Sequence, residues 1–270
     1  MKIKAIISDL DGTLINHDGI YDRDVFLLIK QIQEKNIQFS LATGRAYFAQ
    51  VSDIIRELNL SPIHITNGGG MIINWKTGEV LLHRAISESS VKKIVKYFHK
   101  AGLAFTLETK EYAYMLSIIE TAGYINKKII RFYSIHTIPT GVLKILLHSS
   151  ANKMSEIEVQ NHKKNITRDC KDIEVIQFLS RNNYYGLDIT SEGSTKHTAV
   201  LEYAKILGFA SHEMVAIGDG YNDYPLFTAC GYKIAMGNAP KELKEIADRV
   251  VSTVDNGGMK EALEHIISIL

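Results

Sequence analysis

Short, almost uninterrupted runs of apolar residues occur four times along the chain, and each run ends in a cluster of small or polar residues. Runs without polar alternation are typical of strands buried on both faces, as in a parallel sheet. The runs are residues 3–8, 37–42, 63–66 and 214–217, and the clusters that follow begin at Asp9, Thr43, Asn67 and Gly218. We predict four buried strands whose carboxyl ends carry polar residues, where sheets of this kind bind ligands.

Segments with helical periodicity lie between or after these runs. Residues 24–35 place Val25, Leu28, Ile29 and Ile32 on one face. Helices are also predicted at residues 46–58, 198–207, 241–247 and 260–270. Strands that alternate with helices are typical of a doubly wound fold, so the predicted class is α/β with a Rossmann-like parallel sheet.

The middle of the chain has a different pattern. Residues 71–84 resemble a hairpin with its turn at Lys76-Thr77-Gly78. Helices are predicted at residues 89–100 and after Ile118, and strands at 103–107, 112–116, 144–148, 174–178 and 186–189. These strands lack polar clusters at their ends. We predict a catalytic core formed by residues 1–84 and 190–270, with an inserted α+β cap domain over residues 85–189.

Composition and charge restrict the class of partner. Of 270 residues, 46% are hydrophobic and 23% charged, and the formal net charge is only +1, so we expect neither a nucleic-acid nor a membrane partner. Cys170 and Cys230 match no metal-binding spacing, and free thiols indicate a reducing compartment. The N-terminal apolar run reaches Asp9 too soon for a signal peptide or a spanning helix, which predicts a soluble, cytoplasmic protein.

Two carboxylates, Asp9 and Asp11, stand two residues apart at the end of the first run. On an extended chain such residues point to the same side, roughly 6–7 Å apart, so both face one site. Gly12 allows a sharp turn, and Thr13 adds a hydroxyl. One carboxylate can attack phosphorus while the other transfers protons, as aspartyl-phosphate enzymes require. The alternative is that both side chains cap a turn.

Two further features are candidates for binding an anion. Thr43 and Gly44 precede a predicted helix, and a hydroxyl, a glycine amide and a helix N-terminus together form an anion site. An ordinary helix cap is the alternative, and Arg45 could contact phosphate or lie at the surface. The charge of Lys196 opposes the dipole at the start of a helix, which an anionic partner would offset. A solvated lysine is the alternative there.

The segment GDGYND at residues 218–223 follows the fourth run and adds two carboxylates. Mg²⁺ prefers a few hard oxygen ligands together with waters and a phosphate oxygen. The side chains of Asp9 and Asp219 and the carbonyl of Asp11 could supply that set, with Asp223 bracing it. A glycine-rich turn that caps a helix is compatible with the same residues. Oxygen-only ligands leave Mg²⁺ or Mn²⁺ open and make zinc a poor candidate.

The order of these motifs resembles the four motifs of haloacid dehalogenase-like hydrolases. They are DLDGT at residues 9–13, TGR at 43–45, the lysine at 196 and GDGYND at 218–223. Three more features resemble the Cof-type phosphatase branch, which carries a large α/β cap: TNGG at residues 66–69, MGNA at 236–239 and NGG at 256–258. The resemblance covers nearly the whole chain and implies a phosphatase that uses Mg²⁺.

The resemblance also implies a role for each matched residue. Asp9 would be the nucleophile, and Asp11 would protonate the leaving alcohol and later deprotonate the attacking water. Thr43, the Gly44 amide and Lys196 would bind the phosphate.

The resemblance also implies which residues bind the metal and support the loop that carries its ligand. Asp219 would be the side-chain metal ligand beside Asp9, with Asp11 and Asp223 in the same metal set. Asn222 would support that loop and the phosphate. One position departs from the family pattern: His197 stands where glycine is common, and we expect its side chain to point outward.

The substrate implied by the resemblance is a small phosphorylated metabolite, either a sugar phosphate or a phosphorylated cofactor. Candidate cap residues, for each of which a structural role is favoured over substrate contact, are Glu108, His136, Arg181, Tyr184 and Tyr185. A phosphomutase or phosphotransferase would use the same aspartyl-phosphate, so both remain alternatives to a hydrolase. A non-catalytic phosphate-binding module is a third alternative, which would need neither a nucleophile nor a proton shuttle. Either a monomer or a homodimer is compatible with the sequence.

Overall fold

The computed structural model describes residues 2–116, 130–180 and 182–270. The helix predicted after Ile118 and the candidate Arg181 lie outside the described residues. The described strands are β1 (Ala5–Ser8), β2 (Gln38–Leu41), β3 (Ile63–Thr66), β4 (Met71–Asn74), β5 (Glu79–His83), β6 (Phe105–Glu108), β7 (Ala113–Met115), β8 (Ile130–Phe132), β9 (Lys144–Leu147), β10 (Ile173–Leu179), β11 (Tyr185–Ser191), β12 (Met214–Gly218), β13 (Tyr232–Ala235) and β14 (Arg249–Val250).

The helices follow the same chain order. They are α1 (Arg23–Glu34), α2 (Ser52–Glu57), α3 (Glu88–Lys100), α4 (Ser149–Asn152), α5 (Glu156–Asp169), α6 (Lys196–Leu207), α7 (Tyr224–Ala229), α8 (Lys241–Glu245) and α9 (Gly258–Ser268). Several begin at a polar side chain that accepts a backbone N–H. Asp22 caps α1, Ser87 caps α3 and Thr195 caps α6, which satisfies donors that the first helical turn leaves unpaired.

The chain folds into two compact units. The first comprises Met1–Gly44, Ile55–Leu81 and Thr195–Leu270, and the second comprises Arg45–Ile54 and Leu82–Ser194. The second unit therefore spans the whole of the predicted cap segment, residues 85–189, and adds a few residues at each end of it together with residues 45–54.

The first unit is built on a parallel sheet of five strands in the order β14-β13-β12-β1-β2. Every residue of β1 and β12 is buried, which explains why these strands are continuous apolar runs. A parallel bridge between Ala42 and Ile65 continues the pairing from the end of β2 to β3. The predicted Rossmann-like α/β class is confirmed.

The strand order of this sheet reverses direction next to β1, which creates a switch point at the carboxyl ends of β1 and β12. The chain passes from β1 through α1 to β2 on one side, whereas β12 pairs with β1 on the other side. Residues that follow β1 and β12 therefore meet at one edge of the sheet. Ligands of doubly wound sheets bind beyond the carboxyl ends of the strands at such a switch point.

The helix predicted over residues 46–58 is interrupted. A helical turn at Tyr47–Val51 leads into α2, and Ala49 within that turn has a non-helical ψ of −165°. The Phe48 side chain packs against Ala113 and Met115 of β7, a tertiary contact that periodicity cannot predict.

The second unit contains a six-stranded sheet in the order β10-β11-β9-β6-β7-β8, antiparallel except between β7 and β8. Apolar residues of α3 and α5 pack with one face of the sheet around Phe98, Leu107 and Ile145. Side chains alternate along a strand, so Glu108, Lys144 and Asp188 belong to the opposite face.

That opposite face carries a charged cluster. The Lys144 ammonium lies 3.6 Å from Glu108 Oε2 and 3.3 Å from Asp188 Oδ1, and Glu108 and Lys144 are buried. Burial alone would lower the pKa of Lys144, but the charges of Asp188 and Glu108 outweigh it and raise that pKa. Glu108, one of the residues considered for substrate contact, is thus held in an ion pair with Lys144, which agrees with the structural role favoured for it.

Candidate active site

The ends of β1 and β12 bring two motifs together. Ser8 pairs with Ile217, and the Asp9 amide donates to the Ile217 carbonyl at 2.9 Å. Asp9 therefore lies level with Gly218, and Asp219 follows one residue later at the same end of the sheet. On the other side of β1, the Ala42 amide donates to the Ser8 carbonyl at 2.8 Å, which brings the Thr43 segment to the same edge.

Three carboxylates and one ammonium group form the centre of this site. Asp9, Asp219 and Asp223 each offer an oxygen within 4.8 Å of the others. The Lys196 ammonium lies 2.6 Å from Asp9 Oδ1 and 2.6 Å from Asp223 Oδ1. Asp9, Asp223 and Lys196 are all buried, so these charges interact with little screening by water.

Burial and mutual repulsion raise the pKa of two of these carboxyls. The pKa of Asp9 lies well above its usual value, first because of burial and then because of the charge of Asp223, although Lys196 opposes the shift. Burial, followed by Asp223, raises the pKa of Asp219 to about 6. Asp11 adds to both shifts. The cluster thus carries more negative than positive charge, and a further cation would reduce the repulsion among its carboxylates.

Polar contacts orient the Asp219 side chain. Its Oδ1 accepts a hydrogen bond from the Thr13 hydroxyl at 2.8 Å, and its Oδ2 accepts one from Asn238 Nδ2 at 2.9 Å. Asn238 lies in the MGNA segment, which the sequence marks as a motif without indicating a role. Both contacts join residues that are distant along the chain, so local patterns could not reveal them.

Asp223 braces the loop that carries Asp219. Its Oδ2 accepts from the backbone amides of Asp219 and Gly220, each at 2.9 Å, while its Oδ1 is bonded to Lys196. Both oxygens of this buried carboxylate therefore have partners within the protein. This arrangement fits the bracing role better than that of a primary metal ligand.

Gly12 is required at the turn after Asp9 for two reasons. Its φ is +78°, a conformation that residues with a Cβ rarely adopt. A Cβ at this position would also collide with the Asp219 carboxylate.

The remaining predicted site residues occupy less central positions. Asp11 is exposed, while its charge acts on Asp9 and Asp219. Thr43 is buried beyond the end of β2, where its carbonyl accepts from the Gly68 amide at 3.0 Å. Gly44 follows in the same loop, three residues before the helical turn at Tyr47–Val51, so it does not itself form a helix N-terminus. Asn222 is exposed.

His197 and Arg45, to which the sequence analysis gave no definite role in the site, both contact polar side chains. His197 is half-buried, and its Nδ1 lies 2.9 Å from the Thr228 hydroxyl of α7. Arg45 belongs to the second unit, where its guanidinium donates to Gln50 Oε1 at 2.7 Å.

Lys196→Met is expected to destabilise the metal-free protein by about 3–5 kcal/mol, because it leaves Asp9 and Asp223 buried without their ammonium partner. Urea unfolding in EDTA measures the effect. Lys205→Met on the same helix is the matched control, because Lys205 is 80% exposed and its pair with Glu202 should contribute less than about 1 kcal/mol. Equal losses for the two variants would contradict the assignment.

A model of the haloacid dehalogenase-like hydrolase family matches residues 6–263. The chain therefore belongs to this family, and the resemblance found in its motifs is confirmed.

Relatives and solved structures agree with this assignment. The chain is 25% identical to 5-amino-6-(5-phospho-D-ribitylamino)uracil phosphatase YwtE of Bacillus subtilis, over 98% of this chain and 99% of that protein. It is 25% identical to the phosphoglycolate phosphatase of Methanococcoides burtonii, over 99% and 98% of the two chains. The solved structure of a haloacid dehalogenase-like hydrolase from Bacteroides thetaiotaomicron superposes with a TM-score of 0.85 at 26% sequence identity. The superposition covers 98% of this chain and 100% of that one. The predicted enzyme class, a phosphoric monoester hydrolase, is confirmed by the family match together with these relatives.

In the described part of the chain, no helix has the length and apolar character needed to cross a membrane.

Proposed function

We propose that the protein is a magnesium-dependent phosphatase that hydrolyses small phosphate monoesters through an aspartyl-phosphate on Asp9. The observation that carries the proposal is the buried cluster of Asp9, Asp219 and Asp223 around Lys196 at the carboxyl ends of β1 and β12. A carboxylate nucleophile needs neighbouring cations to approach an anionic ester, and phosphoryl transfer depends chiefly on positioning and charge neutralisation.

In the first step, a carboxylate oxygen of Asp9 attacks phosphorus, and the bond between phosphorus and the ester oxygen breaks. Asp11 gives its proton to the departing alcohol and becomes a carboxylate. Lys196 holds the nucleophile in place and offsets part of the charge that collects on the phosphoryl oxygens. Thr43 and the Gly44 amide, beyond the end of the neighbouring strand, would bind the phosphate.

In the second step, Asp11 takes a proton from a water molecule, whose oxygen attacks the phosphorus of the aspartyl-phosphate. The bond between phosphorus and the Asp9 oxygen breaks, which releases orthophosphate and restores the Asp9 carboxylate. Asp11 ends protonated, ready to act as the acid again. Because Asp11 is exposed, its carboxyl group can transfer a proton to the leaving alcohol and accept one from water.

The residues of the site fit Mg²⁺. The ligands would be the carboxylates of Asp9 and Asp219 and the main-chain carbonyl of Asp11, all hard oxygens. Burial, followed by the neighbouring charge of Asp223, raises the pKa values of Asp9 and Asp219, and a divalent cation would stabilise their charged forms. When bound, the ion supplies charge neutralisation for the transferring phosphoryl group. Asp223 supports the set by fixing the loop of Asp219 and the position of Lys196, and Asn222 lies in that same loop.

The names of the relatives support a small substrate. YwtE is named for a phosphorylated ribitylaminouracil, and the M. burtonii relative for phosphoglycolate. Both are phosphate monoesters of small molecules, so we propose a sugar phosphate or a phosphorylated cofactor for this enzyme. The second unit would act as the cap that selects the substrate. A cytoplasmic location and a monomeric or homodimeric state stay predictions.

The experiment that tests the proposal measures orthophosphate release from p-nitrophenyl phosphate and a panel of phosphorylated metabolites. We expect release with Mg²⁺ and at least about 100-fold less with EDTA, because the ion contributes several kcal/mol to stabilising the transition state. The panel ranks the substrates. Release that requires an added alcohol acceptor would instead indicate a phosphotransferase, and no release from any compound by the folded protein with Mg²⁺ would contradict the proposal.

A further inference from the structure

We propose that Asn238 is a positioning residue that fixes the Asp219 carboxylate for metal binding and links it to the nucleophile loop. Its Nδ2 donates to Asp219 Oδ2 at 2.9 Å and to the Gly12 carbonyl at 2.9 Å. One amide group thus joins the two loops that follow β1 and β12. The inference rests on the proposed function, because that function makes Asp219 a metal ligand.

The orientation of the Asn238 amide is determined by a third contact. Its Oδ1 accepts from the Val254 backbone amide at 3.0 Å. A side-chain amide has an oxygen that only accepts and a nitrogen that only donates. A flipped amide would set its NH₂ against the Val254 N–H and its oxygen against two acceptors. The contact with Val254 therefore directs the NH₂ group to Asp219 and Gly12.

Backbone contacts hold the segment that carries Asn238. The Met236 amide donates to the Gly218 carbonyl at 3.0 Å, and the Gly237 amide donates to the Ser252 carbonyl at 2.9 Å. The Lys244 ammonium also donates to the Gly237 carbonyl at 2.6 Å. The contacts of Met236 and Gly237 thus hold the backbone on which Asn238 stands without any contribution from Asp219.

The two donors on Asp219 leave it able to bind a cation. Thr13 donates to Oδ1 and Asn238 to Oδ2, so each oxygen has one hydrogen bond. A carboxylate has about four lone-pair positions, which leaves room for a cation. Two donors on different oxygens fix the plane of the carboxylate. Partners that orient a metal ligand in this way typically contribute 10–100-fold to metal affinity or activity.

Asn238 could instead serve only to anchor the turn at Val254–Asn256, and the two roles have different consequences. A purely structural role would affect stability and leave the affinity for Mg²⁺ unchanged. A positioning role weakens Mg²⁺ binding in a protein that remains folded. Because Asn238 is exposed, its replacement should not prevent folding.

The test compares Asn238→Ala and Asn238→Leu with wild type and with Asn256→Ala. Asn256 lies in the same turn and donates to Thr253 Oγ1 at 2.8 Å, without a contact to Asp219. The dissociation constant of Mg²⁺ is measured by calorimetry on the protein without substrate, and the Mg²⁺ dependence of phosphate release by a kinetic assay. For both Asn238 variants we expect binding weaker by about 10–100-fold, with KM at saturating Mg²⁺ within about threefold of wild type.

The outcomes separate this inference from the proposed function. Wild-type Mg²⁺ affinity in both folded Asn238 variants would overturn the inference while leaving an active, Mg²⁺-dependent wild type in agreement with the proposed function. An equal loss in Asn256→Ala would also overturn it, because the effect would then belong to the turn. A wild type that neither binds Mg²⁺ nor releases phosphate would overturn both.

Discussion

Asp9→Asn is expected to lower kcat for phosphate release by about 10⁴-fold or more, because an amide cannot form the covalent intermediate. The replacement is nearly isosteric and removes a buried carboxyl whose pKa is raised, so the variant should remain folded. Lys196 keeps its contact with Asp223. The loss should therefore appear in activity and not in the midpoint of thermal unfolding.

Two measurements make this prediction specific to the nucleophile. Acid quenching of wild type during turnover, followed by mass spectrometry, should detect phosphate on the peptide that contains Asp9, and the variant should show none. Asp18→Asn is the matched control, since Asp18 is an exposed residue of the same segment and should retain full activity. More than about a tenth of wild-type activity in Asp9→Asn would exclude Asp9 as the nucleophile.

Gly12→Ala is expected to reduce activity by at least about 100-fold, because its Cβ would displace the Asp219 carboxylate from the position that its hydrogen bonds define. A shift of about 1 Å in such a group can by itself cost about 100-fold. The variant also places a side chain at a φ of +78°, which costs about 1–2 kcal/mol of stability.

Gly78→Ala separates these two effects. Gly78 has a φ of +75° in the hairpin between β4 and β5, and a Cβ there would meet nothing within 4 Å. Both alanine variants should lose similar stability in urea unfolding, while Gly78→Ala should keep wild-type activity. If Gly12→Ala also kept its activity, the close approach of the Gly12 backbone to Asp219 would be irrelevant to catalysis.

The sequence predicts the first unit well because its strands are buried on both faces. Continuous apolar runs predict β1, β2, β3 and β12 to within a few residues, and the polar residues that follow β1 and β12 belong to the candidate site. The hairpin of β4 and β5 is likewise predicted by its turn, which Gly78 closes by donating to the Asn74 carbonyl at 2.8 Å.

The second unit is less completely predictable. Helix α5 has only Val159 and Ile166 buried along its 14 residues, so it lacks the apolar periodicity that predicts a helix. A local signal was nevertheless present. Ser155 and Glu158 form a capping box, in which each side chain binds the backbone amide of the other residue.

The sequence by itself thus determines the α/β class and the positions of the acidic motifs at the ends of strands. Both follow from local patterns of apolar runs and turn residues. Tertiary structure alone decides the individual side-chain contacts through which the motifs meet. The hydrogen bond between Thr13 and Asp219 joins residues 206 positions apart, and Asn238 contacts Gly12 across 226 positions. The raised pKa values of Asp9 and Asp219 likewise arise from burial and from the approach of carboxylates in space, which a linear sequence does not contain.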